Sequence, residues 1–222
     1  MKKVVTLALG CVLAGSVLAQ TSEIKYGVKA GVNFAKTVFS GSGYTSEAKD
    51  ASKFLTSFHF SGLVDVPISN SFSVQPGLSL SGKGQKYELE NDNSTTKLSG
   101  TFVMYLELPV NAVFKIKGFY IGAGPYAAYA LAGKIRSKAV TDNGGVITTD
   151  NYEEDIDFGN DKNNDQLKAI DFGLNVLAGY QLTNGFNIGA NYGLGLSNLA
   201  PGGASTDKKT NSVISVSVGF MF

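Results

Sequence analysis

His59 is the chain's single histidine, and in an enzyme it would be the natural general base. Such a base works with a positioned nucleophile and an orienting carboxylate. Ser57, Ser61 and Asp65 share its face at a period of two, but polar neighbours of this kind recur along any polar strand face, so no catalytic residue is assigned. Lys29, Glu107 and Asp171 form a second group. If they project into one narrow interior they must be paired, because an unpaired buried charge is costly. The expectation is a polar network of Lys29 with Glu107, joined by Asp171 or His59, acting as a plug or as a gate for small ions. A third group lies in the 133–166 segment, where Lys134, Arg136 and Lys138 precede Asp150, Glu153, Glu154, Asp155, Asp157, Asp161 and Asp165. Asp161-Lys162-Asn163-Asn164-Asp165 begins like a calcium loop. Gln166 stands at its sixth position and Phe172 at its twelfth, where such loops need Gly and Glu. A solvated acidic loop is therefore expected, with no metal and no cofactor.

The elements that must carry these residues are strands. Eight segments alternate apolar and polar side chains, the pattern of a strand with two unlike faces. They run about Ile24 to Ala35, Phe54 to Val66, Phe72 to Leu80, Phe102 to Phe114, Phe119 to Leu131, Ile170 to Tyr180, Phe186 to Leu196, and Ser212 to Phe222. Short connections at Pro67–Ser71, Lys115–Gly118 and Gln181–Gly185 alternate with long ones over 37–53, 82–97, 133–166 and 200–211. Short turns at one end and long loops at the other are typical of an outer-membrane barrel. Aromatic residues on the apolar faces gather at both ends. Tyr26, Phe72, Phe114, Phe119, Tyr180, Phe186 and Phe222 lie beside the short turns and termini, and Phe34, Phe54, Phe58, Phe102, Tyr129 and Tyr192 lie toward the long loops. Rings prefer the membrane interface, so these read as two girdles. The expected fold is all-β: an eight-stranded antiparallel up-and-down transmembrane β-barrel with a polar interior, short periplasmic turns and long extracellular loops. Alternation alone allows the opposite orientation, a soluble barrel with its apolar face inward. Pro76, Pro109 and Pro125 fall inside consecutive strands and predict a bulged patch, because proline removes a ladder donor.

Residues 1–19 read as a cleaved signal peptide: Lys2 and Lys3, the apolar run Val4 to Leu13, and the small-residue site Val17-Leu18-Ala19. Residues 20–222 then form the barrel domain. Cys11, the single cysteine, lies in that leader, so disulfides and thiolate chemistry are excluded from the mature chain. The alternative is an acylated Cys11, against which stands the short apolar stub before it. Losing Lys2 and Lys3 from the 19 basic residues leaves 17 against 18 acidic ones, and a near-neutral chain has no pull toward nucleic acid.

Several segments carry a resemblance: Gly27-Val28-Lys29-Ala30-Gly31-Val32-Asn33, Gln75-Pro76-Gly77-Leu78, Tyr105-Leu106-Glu107-Leu108-Pro109-Val110, Tyr120-Ile121-Gly122-Ala123-Gly124-Pro125-Tyr126, Asp171-Phe172-Gly173-Leu174 and Val218-Gly219-Phe220-Met221-Phe222. In order and spacing the chain resembles the Bacteroidetes-type outer-membrane β-barrel family, the group labelled PorT-like. The resemblance implies a small eight-stranded barrel in a Gram-negative outer membrane and no agreed activity. Val218, Phe220 and Phe222 are similar to the C-terminal signal read by the barrel-assembly machinery, an expected partner during insertion; outer-membrane lipid is the other. The expected role is structural or recognition through the extracellular loops toward an extracellular or periplasmic protein, without catalysis. The alternatives are a narrow pore for ions or very small solutes, and an outer-membrane lipid-modifying enzyme.

Overall fold

The computed structural model describes residues 23–45, 51–91, 95–142, 147–202 and 207–222. The leader expected at 1–19, with Cys11, lies outside the described residues. The strands are β1 (Lys25–Ser40), β2 (Ser52–Lys53), β3 (Leu55–Pro67), β4 (Phe72–Asn91), β5 (Thr95–Ile116), β6 (Phe119–Asp142), β7 (Ile147–Asp155), β8 (Ile170–Gln181), β9 (Phe186–Gly195) and β10 (Lys208–Met221). Eight of them close a ring in the order β4, β3, β1, β10, β9, β8, β6, β5, with β5 returning to β4. β2 and β7 stand outside the ring, paired to β4 and β6. Every pairing is antiparallel. β10 lies along β1 from Gly27↔Met221 to Ser40↔Lys208, and Phe222 N donates to Tyr26 O at 2.8 Å. Closure leaves no edge strand in the wall.

The orientation is decided by exposure. Tyr26, Phe72, Phe114, Phe119, Tyr180 and Phe186 are exposed, and Phe222 is 70% exposed. Above them Phe34, Phe54, Phe58, Tyr129 and Tyr192 are exposed as well. Phe60, Leu108, Ile121, Val176, Ile188 and Val216 fill the outer belt between these rings. Asn33, Asp65, Gln75, Ser79, Asn111, Asp171, Asn175 and Ser215 are buried on the inner face. Apolar side chains therefore point outward and polar ones inward, as in a barrel whose solvent is hydrocarbon. Among the described residues no helix is long and apolar enough to cross a membrane; the crossing is made by strands.

The short turns lie together at the end that holds both strand termini. At Lys117 and Gly118 φ is 49° and 87°, the paired positive values of a two-residue type I′ hairpin. At the other end the strands run past the expected boundaries. Residues 82–97 and 133–155, expected as loops, are hairpin extensions: β4 and β5 stay paired to Asn91↔Thr95, and β6 and β7 from Lys134↔Asp155 to Asp142↔Ile147. β6 has 24 residues, roughly 80 Å of strand at the usual rise, where about 9–11 residues suffice to span a bilayer. At the base of the first extension Lys83 and Gln85 still face the interior; in the second, residues 149–155 of β7 are exposed on both faces and lose the alternation that marks a spanning strand. Side-chain pairs stitch the base of the hairpin instead: Lys134 pairs with Glu153, and Arg136 Nε donates to Glu153 Oε2 at 2.7 Å.

The prolines give gaps in the ladder rather than the expected bulges. Pairing lapses for two residues between Leu63↔Gly77 and Val66↔Val74, between Pro76↔Val110 and Ser79↔Glu107, and between Pro109↔Tyr126 and Ala112↔Ala123. In each case it resumes in the same register. A proline removes a donor without adding a residue, whereas a bulge needs an extra one. The extra residue is Leu131, skipped between Met104↔Ala132 and Tyr105↔Ala130.

Candidate functional site

The inner face is organised around Lys83 of β4. Its ammonium lies 2.7 Å from Glu107 Oε2 of β5 and 3.2 Å from Asp171 Oδ2 of β8. It also faces the rings of Tyr126 at 4.2 Å and Tyr105 at 5.3 Å, within cation–π range. Asp171, fully buried at 0% exposure, is saturated with donors. Ser197 Oγ donates to its Oδ1 at 2.8 Å, while Asn211 Nδ2 and Tyr126 Oη donate to its Oδ2 at 2.9 and 3.3 Å. Buried carboxylates persist only with such compensation. The cluster draws on strands spread over half the ring, so it forms a partition across the lumen.

Below the partition a cavity of about 110 Å³ is lined by Lys29, His59, Glu107, Asn175 and Asn191. Above it a vestibule of about 630 Å³ opens between the extracellular hairpins, with Tyr105 and Asn211 on its floor. At the periplasmic end Asp65 accepts from Lys115 and, at 2.9 Å, from Gln75 Nε2. A mouth of about 490 Å³ lies beyond that pair. The Lys83 cluster thus separates the cavity from the vestibule, while the Asp65–Lys115 pair stays on one side of the ring, along β3, β4 and β5.

The residues singled out from sequence are distributed differently from the expected network. Glu107 and Asp171 are joined, but by Lys83 and not by Lys29. Lys29 is in no ion pair among the described residues; its ammonium sits 5.3 Å from the Tyr120 ring. His59 lines the same cavity, with Nδ1 2.7 Å from Asn33 Oδ1. That oxygen accepts, so Nδ1 carries the hydrogen. Asn33 also accepts from Ser215 Oγ at 2.8 Å and donates to Gly82 O at 3.0 Å. Ser57 Oγ donates to Gly82 O at 2.6 Å, Ser61 Oγ to Ser79 Oγ at 2.8 Å, and Asp65 is held by Lys115. The three neighbours of His59 are each engaged elsewhere. In the acidic segment, Asp161 Oδ1 accepts from Asn163 N at 3.0 Å and Asp165 Oδ2 from Asp161 N at 2.7 Å, so these carboxylates shape a turn. Val218 is exposed in the outer belt beside Ile188, and Phe220 is half-buried and packs at the periplasmic rim on Phe186 and Phe222 at 5.1 Å each.

Lys83 was missed because it falls just past the last apolar residue of its strand, Leu80. The inward series nevertheless continues as Gln75, Ser79, Ser81, Lys83 and Gln85; only the outward series stops, at Gly82 and Gly84. Gly84 has φ +143°, and a Cβ there would run into Thr101 O. Gly84→Ala is expected to cost about 1–3 kcal/mol, read as a lower midpoint in urea unfolding, because the strained position directly follows Lys83.

A closed ring with a hydrocarbon-facing belt, interfacial rings and a polar, partitioned interior defines an integral outer-membrane β-barrel. The chain belongs to the outer membrane protein beta-barrel domain family, whose model matches residues 18–200. No curated protein matches it. Among solved structures it is similar to Ail, the attachment invasion locus protein of Yersinia pestis, at 14% identity and a TM-score of 0.39 over 90% of this chain and 100% of that one. It is similar to Neisserial surface protein A at 16% identity and a TM-score of 0.37, again over 90% and 100%. It is also similar to Acinetobacter baumannii CarO at 11% identity and a TM-score of 0.42, over 87% and 97%. The protein resides in the outer membrane.

Proposed function

We propose that this barrel is a closed recognition protein that presents its extracellular hairpins and vestibule to a partner and does not conduct. The observation that carries the proposal is the Lys83 partition: two carboxylates, one ammonium and two tyrosine rings meet across the lumen. Eight-stranded barrels have interiors just wide enough to be filled by side chains. Binding residues often sit on loops held by a rigid scaffold, which supports the extracellular end as the contact surface. Catalysis is no part of the proposal, since His59 and its polar neighbours are each committed to structural bonds. Within the family, the motifs from Gly27 to Phe222 support placement among PorT-like barrels. Val218, Phe220 and Phe222 are proposed as the contact for the barrel-assembly machinery.

A narrow pore is the second reading, favoured by one observation: unpaired Lys29 lines the same cavity as Glu107. Were Glu107 to exchange Lys83 for Lys29, the partition would open. Planar-bilayer recordings with parallel solute uptake in proteoliposomes separate the two. Wild type is expected to show no unitary steps and no uptake, and Glu107→Ala to stay closed because Asp171 still holds Lys83. Regular steps in wild type that vanish or change in Glu107→Ala would replace the recognition reading with the pore.

A further inference from the structure

The vestibule is more than a gap between hairpins. Residues 156–169 fold back over it: Phe158 bridges to Leu167, and Lys168 N donates to Leu199 O at 2.9 Å. Ile156 joins Val103 and Tyr105 in a buried apolar cluster that Leu167 packs against. The cavity between this cover and the Lys83 partition is faced by the half-buried Tyr44, Ile135, Leu167 and Pro201, with the buried cluster behind them. Its volume, about 630 Å³, falls within the range of small-molecule sites, which combine an apolar lining with a few convergent polar groups.

Its charged groups are Lys162, Asp165, Asp207 and Lys209, of which Lys162 is exposed to solvent. Asp207 Oδ1 already accepts from Gly43 N at 2.9 Å, and Asp165 Oδ2 from Asp161 N at 2.7 Å. Lys209 also lines the cavity, is half-buried, and forms no ion pair among the described residues. Burial pushes its amine below the usual lysine range. A partly desolvated ammonium beside an apolar wall is completed by an anion attached to an apolar body.

We infer that the extracellular vestibule binds a small amphipathic organic anion, its carboxylate on Lys209 and its apolar or aromatic body against Tyr44, Ile135 and Leu167. This deepens the recognition proposal and rests on it. The test uses the full-length barrel in lipid nanodiscs, titrated calorimetrically with 4-phenylbutyrate, its neutral amide and acetate, with empty nanodiscs as blank. Saturable binding of 4-phenylbutyrate is expected, about tenfold or more tighter than the amide or acetate. Lys209→Gln is expected to erase the advantage over the amide and Lys209→Arg to keep it, both with the wild-type gel band shift of a folded barrel. The inference is overturned if 4-phenylbutyrate gives only the heat of empty nanodiscs, or if Lys209→Gln binds it as wild type does. A barrel that stays closed in bilayer recordings yet fails to bind sinks only the vestibule site; a conducting one sinks the recognition reading itself.

Discussion

Replacing Lys83 with methionine is expected to destabilise the barrel by about 3–5 kcal/mol, the usual cost of removing one partner from a buried ion pair. The methionine stem keeps the packing against Tyr105 and Tyr126, so the loss reports the charge. What remains is two carboxylates, Glu107 and Asp171, facing the space that the 3% exposed Lys83 had filled. Asp171 retains Ser197, Asn211 and Tyr126 as donors, whereas Glu107 loses its ion pair. Lys83→Met combined with Glu107→Gln should therefore recover part of the loss, because one of the two carboxylates left without a counter-charge has been removed and the other, Asp171, keeps its three hydrogen-bond donors. The chain has no tryptophan, so the measurement is the urea midpoint by tyrosine fluorescence or by the gel shift between folded and unfolded barrel. Equal stability of wild type and Lys83→Met would show that the partition is not an ion-paired structure.

The second large effect concerns the outer face. Val176 lies in the middle of β8, between Ala123 of β6 and Tyr192 of β9, and is 52% exposed. Val176→Arg is expected to cost about 2–4 kcal/mol in bilayers, the penalty for a cation near the midplane of a barrel wall. Val176→Leu should be nearly neutral, since no protein packing limits the added methylene there. The same arginine at exposed Phe222, on the periplasmic rim, should cost about 0–1 kcal/mol, because the penalty falls toward the interface. A flat profile between the two positions would mean that the belt does not face hydrocarbon.

The two predictions differ in how readable their residues were. Val176 belongs to the run Ile170, Phe172, Leu174, Val176, Ala178, in which alternation is unbroken, and the hydrocarbon solvent imposes that pattern residue by residue. The same holds for Phe58, Phe60, Ile188 and Val216. Lys83 lay beyond its strand's apolar signal, in a segment that looked like loop. Tyr105 and Tyr126, the rings that cover its ammonium, fall on the polar face by alternation, but nothing local records that they meet Lys83. The gaps at Pro76, Pro109 and Pro125 were legible as lost donors, but their unshifted register was not, because register depends on the length of both strands.

By itself the sequence determined eight strands with one apolar and one polar face each, and the end at which the short turns gather, since these depend on local alternation and on turn residues; that the apolar face lies outside was decided by the closed ring. Only the tertiary structure decided that Lys83 rather than Lys29 meets Glu107, that β4 to β7 rise as hairpins above the membrane, and that 156–169 closes over a vestibule. Lys83 and Asp171 stand 88 residues apart, and no local pattern records such a distance. Which inward side chains meet is set by the order and stagger of strands around a closed ring.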